Sequence, residues 1–220
     1  MPNYSKIKGM DTESFKSIIN NYIKGSRKVL LIGPMALKRQ GLELLNQSKL
    51  PIIFVDGGLK HRNEGQAKCL SIGDGDSGGE CCDINFPIQK DFSDLEGVLR
   101  YLPKTVCEVV ALGFQGGRLD HELVVLNNFY RHAELNNCKV ENMGPRRIEI
   151  YPSGCHEVSI FGGFSLLSQK ECSVTLSGDC KYHGENILLP TFGGRGLSNE
   201  GLGKIKLTTD APIGIFLFDS

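Results

Sequence analysis

The sequence predicts an α/β amino-terminal domain with a mainly parallel, Rossmann-like sheet, followed by an all-β sandwich domain. Three observations predict it. Up to about residue 142, short apolar runs alternate with amphipathic stretches, the pattern of a parallel sheet covered on both faces. Beyond that point the runs are short, closely spaced and separated by Gly, Ser, Asn and Pro, with no helical period among them, as in an antiparallel sandwich or barrel. A chain of 220 residues is also long enough for two cores of ordinary size. The segment ENMGPRR marks the boundary, giving domains 1–142 and 143–220.

The elements follow in order. TESFKSIINNYI has a helical apolar period, KVLLIG reads as a strand, and MALKRQGLELLNQ reads as a second helix. PIIFVDGG and KCLSIGDGD are apolar runs that stop at Gly or Asp, INFPIQKD is a short strand, and SDLEGVLRYL is a helix opened by the capping box Ser93-x-x-Glu96. VCEVVALGF is the next strand and LDHELVVLNNFYRHAELN the next helix. In the second half RRIEIYP, HEVSIFG, FSLLSQ, CSVTLSG, NILLPTF, KIKLTT and IGIFLF each read as strands.

Composition excludes several classes of function. Lys plus Arg and Asp plus Glu are 25 each, so no overall field favours nucleic acid or an anionic membrane. No apolar run reaches the length of a membrane span, and the first fifteen residues lack the apolar core of a signal peptide. Eight cysteines make no C-x-x-C pair, which argues against zinc and for reduced thiols in a cytoplasmic protein.

The stretch SIGDGDSGG (71–79) fits the spacing G-x-G-x-x-G, but a pyrophosphate-binding turn needs a positive surface and a following helix. Here Asp74 and Asp76 stand in the loop, and the Gly- and Pro-bearing segment after it has no helical period. Two carboxylates face phosphate when a divalent cation sits between, and Mg²⁺ takes one or two carboxylates with phosphate oxygens and water. An acidic surface turn is the alternative for an isolated D-x-D. Other residues at the predicted strand ends favour a site: Asp56 after PIIFV; Lys90, Asp91 and Asp94 after INFPIQ; Gln115, Arg118, Asp120 and His121 after VVALGF. Ligands bind at that rim in open parallel sheets. Clustered carboxylates repel unless cations neutralise them, and Lys90 and Arg118 supply part of that charge. The combination suits a metal–polyphosphate site. Singly, Asp94 and Asp120 are also ordinary first-turn helix residues, and His121 an ordinary hydrogen-bonding histidine.

In order along the chain, DGG (56–58), GDGDS (73–77), KDFSDLE (90–96) and GGRLDH (116–121) resemble the thiamine pyrophosphokinase pattern D-G-G, G-D-x-D-S, K-D-x-T-D-x-E and G-G-R-x-D-H. FSLL (164–167), CKYHG (180–184) and GLSNEG (196–201) are similar to that family's later segments, so the resemblance covers about residues 28 to 218. It implies a nucleotide-binding domain and a β-sandwich in a homodimer, with Mg²⁺, ATP and thiamine as ligands and AMP as a product. It implies Asp56, Asp74, Asp76 and Asp94 around metal and phosphates, with Lys90, Arg118 and Asp120 lining the same cleft. Gly57, Gly58, Ser77, Asp91, Gln115, Gly117 and His121 fall in or beside the motifs that would bind ATP or acceptor. Ser198 and Asn199 match a loop that helps form the thiamine site at the dimer interface. The base for the attacking hydroxyl stays open between Asp74, Asp94 and neither. The chain departs from the pattern at Val124-Val125 and Leu59-Lys60, where Ala-Asn is usual, and it has no tryptophan. Alternatives are a related pyrophosphokinase acting on another alcohol, such as a pterin, and a catalytically silent nucleotide-binding protein.

Overall fold

The computed structural model describes residues 12–63, 69–75, 82–87 and 89–218. Its strands pair as mixed β-sheet, parallel among the early strands and antiparallel among the late ones, with helices between the early ones. The chain divides into two compact units. One runs to Asn128 and takes in Met143–Pro145; the other comprises Phe129–Asn142 and Arg146–Ser220.

In the first unit, β1 (Lys28–Ile32) pairs in parallel with β2 (Ile52–Val55) and with β5 (Glu108–Leu112). β2 pairs with β3 (Cys69–Gly73), and β3 with the two-residue β4 (Ile84–Asn85). The order is therefore β5-β1-β2-β3-β4, a small parallel sheet. Val29 to Ile32 and Ile52 to Val55 are all buried, as strands covered on both faces require. Helix α1 (Thr12–Ile23) buries Phe15, Ile19 and Ile23 at a spacing of four, one helical face. Fully burying Ile19 contributes about 1.5–3 kcal/mol, which matters for a helix too short to hold in water by itself. The Tyr22 hydroxyl donates to Ile52 O at 2.7 Å and accepts from Ile52 N at 2.9 Å, fixing α1 to the start of β2. Helix α3 (Asp94–Tyr101) buries Leu95, Val98 and Leu99.

Helix α2 (Arg39–Gln47) is shorter than the sequence predicts. Its expected first turn is held elsewhere: Met35 N donates to Gly113 O at 2.8 Å, and Met35 O lies 3.0 Å from the His61 ring nitrogen Nε2. The first bond ties the loop after β1 to the loop after β5, and the second ties it to the turn after β2.

Helix α4 (Leu119–Asn136) changes character along its length. Leu119, Leu123 and Val124 are exposed, whereas Phe129, Tyr130 and Ala133 are buried in the second unit. In that unit β7 (Arg147–Tyr151), β8 (Gly154–Leu167), β9 (Cys172–Cys180), β10 (Gly184–Leu189), β11 (Asn199–Thr209) and β12 (Ile213–Leu217) pair antiparallel in the order β10-β9-β11-β8-β12-β7. Burial along β11 alternates strictly, with Ile205 and Leu207 inward and Lys204 and Lys206 outward. HEVSIFG and FSLLSQ, read as two strands, form the single β8: Gly162 takes φ 99° within the strand, a conformation glycine allows, while its register with β11 stays unbroken from Gly154 to Phe164. KVENM forms the further strand β6 (Lys139–Met143), which the sequence reading left in the boundary region.

Candidate active site

The carboxyl ends of β2 and β3 are shaped by close backbone approaches. Asp56 follows β2 at φ 50°, a left-handed conformation that a non-glycine residue adopts at a cost. It opens a short 3₁₀ turn over residues 56–61. In that turn a Cβ on Gly58 would stand 2.1 Å from Ile32 O, so only glycine lets the turn sit on β1. At the end of β3, a Cβ on Gly73 would stand 2.9 Å from Asp56 Cα. The glycines of DGG and GDG thus bring the backbones carrying Asp56 and Asp74 together.

The third carboxylate comes from α3. Ser93 is its N-cap, its Oγ accepting from Glu96 N at 3.2 Å and from Asn128 Nδ2 at 3.3 Å. The capping function and the site are compatible, because the cap sets the first turn from which Asp94 projects. Asp56, Asp74 and Asp94 each offer a carboxylate oxygen, and the three oxygens lie within 4.8 Å of one another. Lys90 Nζ forms an ion pair with Asp74 Oδ2 and a second with Asp94 Oδ1 at 3.2 Å. Lys90, Asp74 and Asp94 side chains are only 8%, 10% and 13% exposed, so these charges are poorly screened by solvent. Asp94 Oδ1 is buried, and its nearest positive charge is the Lys90 ammonium.

Burial pushes the Asp94 carboxyl up to about 6; the Lys90 ammonium opposes that shift and the neighbouring Asp74 charge adds to it. For Lys90, burial acts against the charged form, but the bond to Asp74 and the charge of Asp94 outweigh it and hold the ammonium above its ordinary range. The Cys82 thiol, against Gly73, is pushed up to about 12, first by burial and then by Asp56 and Asp94. Nothing in its sequence setting reveals Cys82 as a neighbour of this site; only its place next to Gly73 does. The donors are three hard oxygens within 4.8 Å of one another, a set that fits Mg²⁺ or Mn²⁺.

The remaining predicted residues are distributed more widely. Asp76 and Ser77 lie outside the described residues. Gly57 follows Asp56 in the 3₁₀ turn, and Asp91 is exposed. Gln115 is buried just past β5, packed against Gly144. Gly117 approaches Met35 so closely that a Cβ would stand 2.9 Å from its sulfur. Arg118 and Asp120 pair with each other at 2.5 and 3.1 Å on the exposed start of α4, and this pairing lowers the Asp120 carboxyl. His121 is exposed beside them. In the second unit Ser198 is exposed at φ 61°, its N–H donating to Ser165 Oγ at 3.0 Å. Asn199 is buried, and its side chain is used within the chain: Nδ2 donates to Tyr182 O at 2.9 Å, and Oδ1 accepts from Tyr182 N and Glu200 N at 3.0 and 2.8 Å. It holds the Lys181–Tyr182 turn. The described cysteines are free, and no described helix is long and apolar enough to cross a membrane.

No protein-family model and no curated protein matches the sequence. Solved structures do match the fold. A thiamine pyrophosphokinase from Bacillus subtilis superposes with a TM-score of 0.73 at 19% identity, covering 88% of this chain and 99% of that one. The fold is that of thiamine pyrophosphokinases. The Geobacillus thermodenitrificans enzyme gives 0.69 at 21% identity, covering 88% of this chain and 98% of its own. Thiamin pyrophosphokinase from Candida albicans gives 0.68 at 16%, covering 89% of each chain. On this fold Asp56, Asp74 and Asp94 converge, with Lys90 paired to the last two, whereas Arg118 and Asp120 bond to one another.

Proposed function

We propose that this chain is a Mg²⁺-dependent thiamine pyrophosphokinase, transferring pyrophosphate from ATP to thiamine with release of AMP. The observation that carries the reading is the half-buried carboxylate trio Asp56, Asp74 and Asp94, brought together by the ends of two parallel strands and the start of α3, with Lys90 paired to Asp74 and Asp94. In this reaction the thiamine hydroxyl oxygen attacks the β-phosphorus, the bond from that phosphorus to the α-phosphate oxygen breaks, and the hydroxyl proton is lost. Little covalent work falls to the protein, so position and charge decide the rate. A bound divalent ion supplies neutralisation of the phosphate oxygens. Asp56, Asp74 and Asp94 hold it, with Asp76 adjoining in sequence. Lys90 binds an anionic phosphate oxygen, and Arg118 can do the same once it leaves Asp120.

In this reading the first unit is the nucleotide-binding catalytic domain, and the second is the β-sandwich of a homodimer, with Ser198 offering a hydroxyl to thiamine. Asn199 contributes by shaping its loop. Reduced cysteines and an ATP donor suit the cytoplasm. The Val124-Val125 departure favours one second reading, a pyrophosphokinase for a different alcohol. Product analysis tests both. With ATP, Mg²⁺ and thiamine we expect thiamine diphosphate and AMP in equal amounts. AMP formed only with another alcohol overturns the acceptor. ADP, or no turnover with any alcohol, overturns the reaction class.

A further inference from the structure

We infer that Lys90 is a built-in counter-ion that holds the carboxylates together before metal arrives, and that its ammonium must leave Asp74 and Asp94 for a divalent cation to bind. The inference rests on the reading of the trio as a metal site. Three carboxylates with oxygens within 4.8 Å repel one another unless a cation lies among them. In the structure that cation is Lys90 Nζ, bonded to Asp74 Oδ2 and 3.2 Å from Asp94 Oδ1. An ammonium there and a divalent ion on the same two carboxylates would be like charges a few ångströms apart in a poorly screened site.

The two ends of the contact differ. Lys90 Nζ makes its closer contact with Asp74 Oδ2 and its longer one, 3.2 Å, with Asp94 Oδ1. Asp94 is therefore the carboxylate from which the ammonium parts more easily. Lys90 also stands ahead of α3, on the segment before the Ser93 cap, so a long and flexible side chain can turn away without disturbing the helix. A nucleotide phosphate gives the released ammonium a new anionic partner. Metal alone must displace Lys90 without compensation; metal with nucleotide does not. Lys90 thereby links the two ligands, and by reciprocity each strengthens the other.

The test is Mn²⁺ binding to the whole protein without nucleotide, read by the loss of free-ion electron paramagnetic resonance signal. Lys90→Gln is expected to bind Mn²⁺ roughly tenfold more tightly than the wild type, the scale of one charge-assisted hydrogen bond no longer in competition. It should also lose most of the mutual enhancement between Mn²⁺ and a non-hydrolysable ATP analogue. Equal or weaker Mn²⁺ binding by a folded Lys90→Gln overturns the inference and leaves the metal site standing. Absence of Mn²⁺ binding in both proteins overturns the metal reading and this inference with it. The wild type gives a second measurement that needs no variant. Reductive methylation mapped by mass spectrometry should modify Lys90 several-fold faster when Mn²⁺ is present, because release exposes it, with other lysines unchanged. Unchanged or slower methylation of Lys90 under saturating Mn²⁺ overturns it.

Discussion

Two groups of interacting charges, one in each unit, are built on different plans. On β6 and β7, Glu149 receives the Tyr151 hydroxyl at 2.6 Å, Lys139 at 3.0 Å and Arg147 at 2.8 Å, while Arg147 also reaches Glu141 at 2.7 Å. Two acids meet two bases there, and the buried Glu149 is paired at both carboxylate oxygens. At the ends of β2 and β3, three acids meet one lysine. The contrast appears in titration. Burial raises Glu149, yet the bonds from Tyr151 and Lys139 overcome it and leave the carboxyl below its ordinary range. Burial raises Asp94, and Lys90 does not overcome it. A balanced buried cluster is complete in the folded chain. An acid-rich one stays incomplete until a ligand brings positive charge, and that deficit distinguishes a site from a brace.

The largest effect that can break this comparison is on turnover. Asp74→Asn and Asp94→Asn each keep shape and remove one charge from the incomplete cluster. Pyrophosphate transfer should fall by more than about 100-fold, beyond the roughly 10–100-fold that loss of an outer partner of a metal site costs. The melting temperature of Asp94→Asn should hold or rise, because the charged form of that carboxyl is disfavoured in the fold, whereas Asp74→Asn should lower it, because the nearly buried Lys90 loses its closest partner. Turnover within a few-fold of wild type in both variants would refute the assignment of the trio.

Glu149→Gln should do the reverse. It leaves Lys139 and Arg147 without their shared acid, and both retain some solvent contact, so the cost is about 1–3 kcal/mol. Urea unfolding should show that loss as a lower midpoint at unchanged slope, with turnover per folded molecule intact. A selective loss of turnover would mean that the balanced cluster also serves the reaction.

The same residue gives a pH dependence of smaller size. Because the folded pKa of Glu149 is depressed, its contribution is fully present above the unfolded Glu value, about 4.3, and is lost as pH falls through the folded value. The stability gap between wild type and Glu149→Gln should therefore be constant near neutrality and shrink in acid below that range. A gap that widens in acid would reverse the sign of the argument.

Much of this was legible in the sequence, and the failures have physical reasons. Parallel strands buried on both faces appear as unbroken apolar runs, so KVLLI, IIFV and EVVAL were read correctly. KVENM was missed because three of its five residues are polar or charged, and its place is fixed by tertiary partners of β6 such as Glu149. The Gly162-Gly163 pair read as a break because glycine usually ends strands, whereas here both glycines stay paired within one. Asp56, Asp74, Lys90 and Asp94 were legible as motif residues, but their shared ion pairs were not, because no spacing records which loop ends meet. Nor does spacing record that Asn199 turns its amide inward onto Tyr182.

The smallest expected effect lies at Val125, where the thiamine pyrophosphokinase pattern has Asn. Val125 is half-buried on α4, between the exposed Val124 and, three residues on, the buried Asn128. Residues three apart on a helix share a face, and Asn128 Nδ2 donates to Ser93 Oγ, the cap of the helix that carries Asp94. Val125 thus shares an α4 face with the residue that reaches the first turn of α3, which makes it the position at which to test an amide. One neutral hydrogen bond regained is worth about 1 kcal/mol, a several-fold change. Val125→Asn should lower the KM for thiamine by that factor, leave kcat within twofold, and change stability by less than about 1 kcal/mol, since the position is not fully desolvated. Val124→Asn, on the exposed side, should change neither quantity. Loss of stability in Val125→Asn with an unaltered KM would show that its face belongs to packing alone, and the incomplete charge cluster would then have no contribution from α4 at this position.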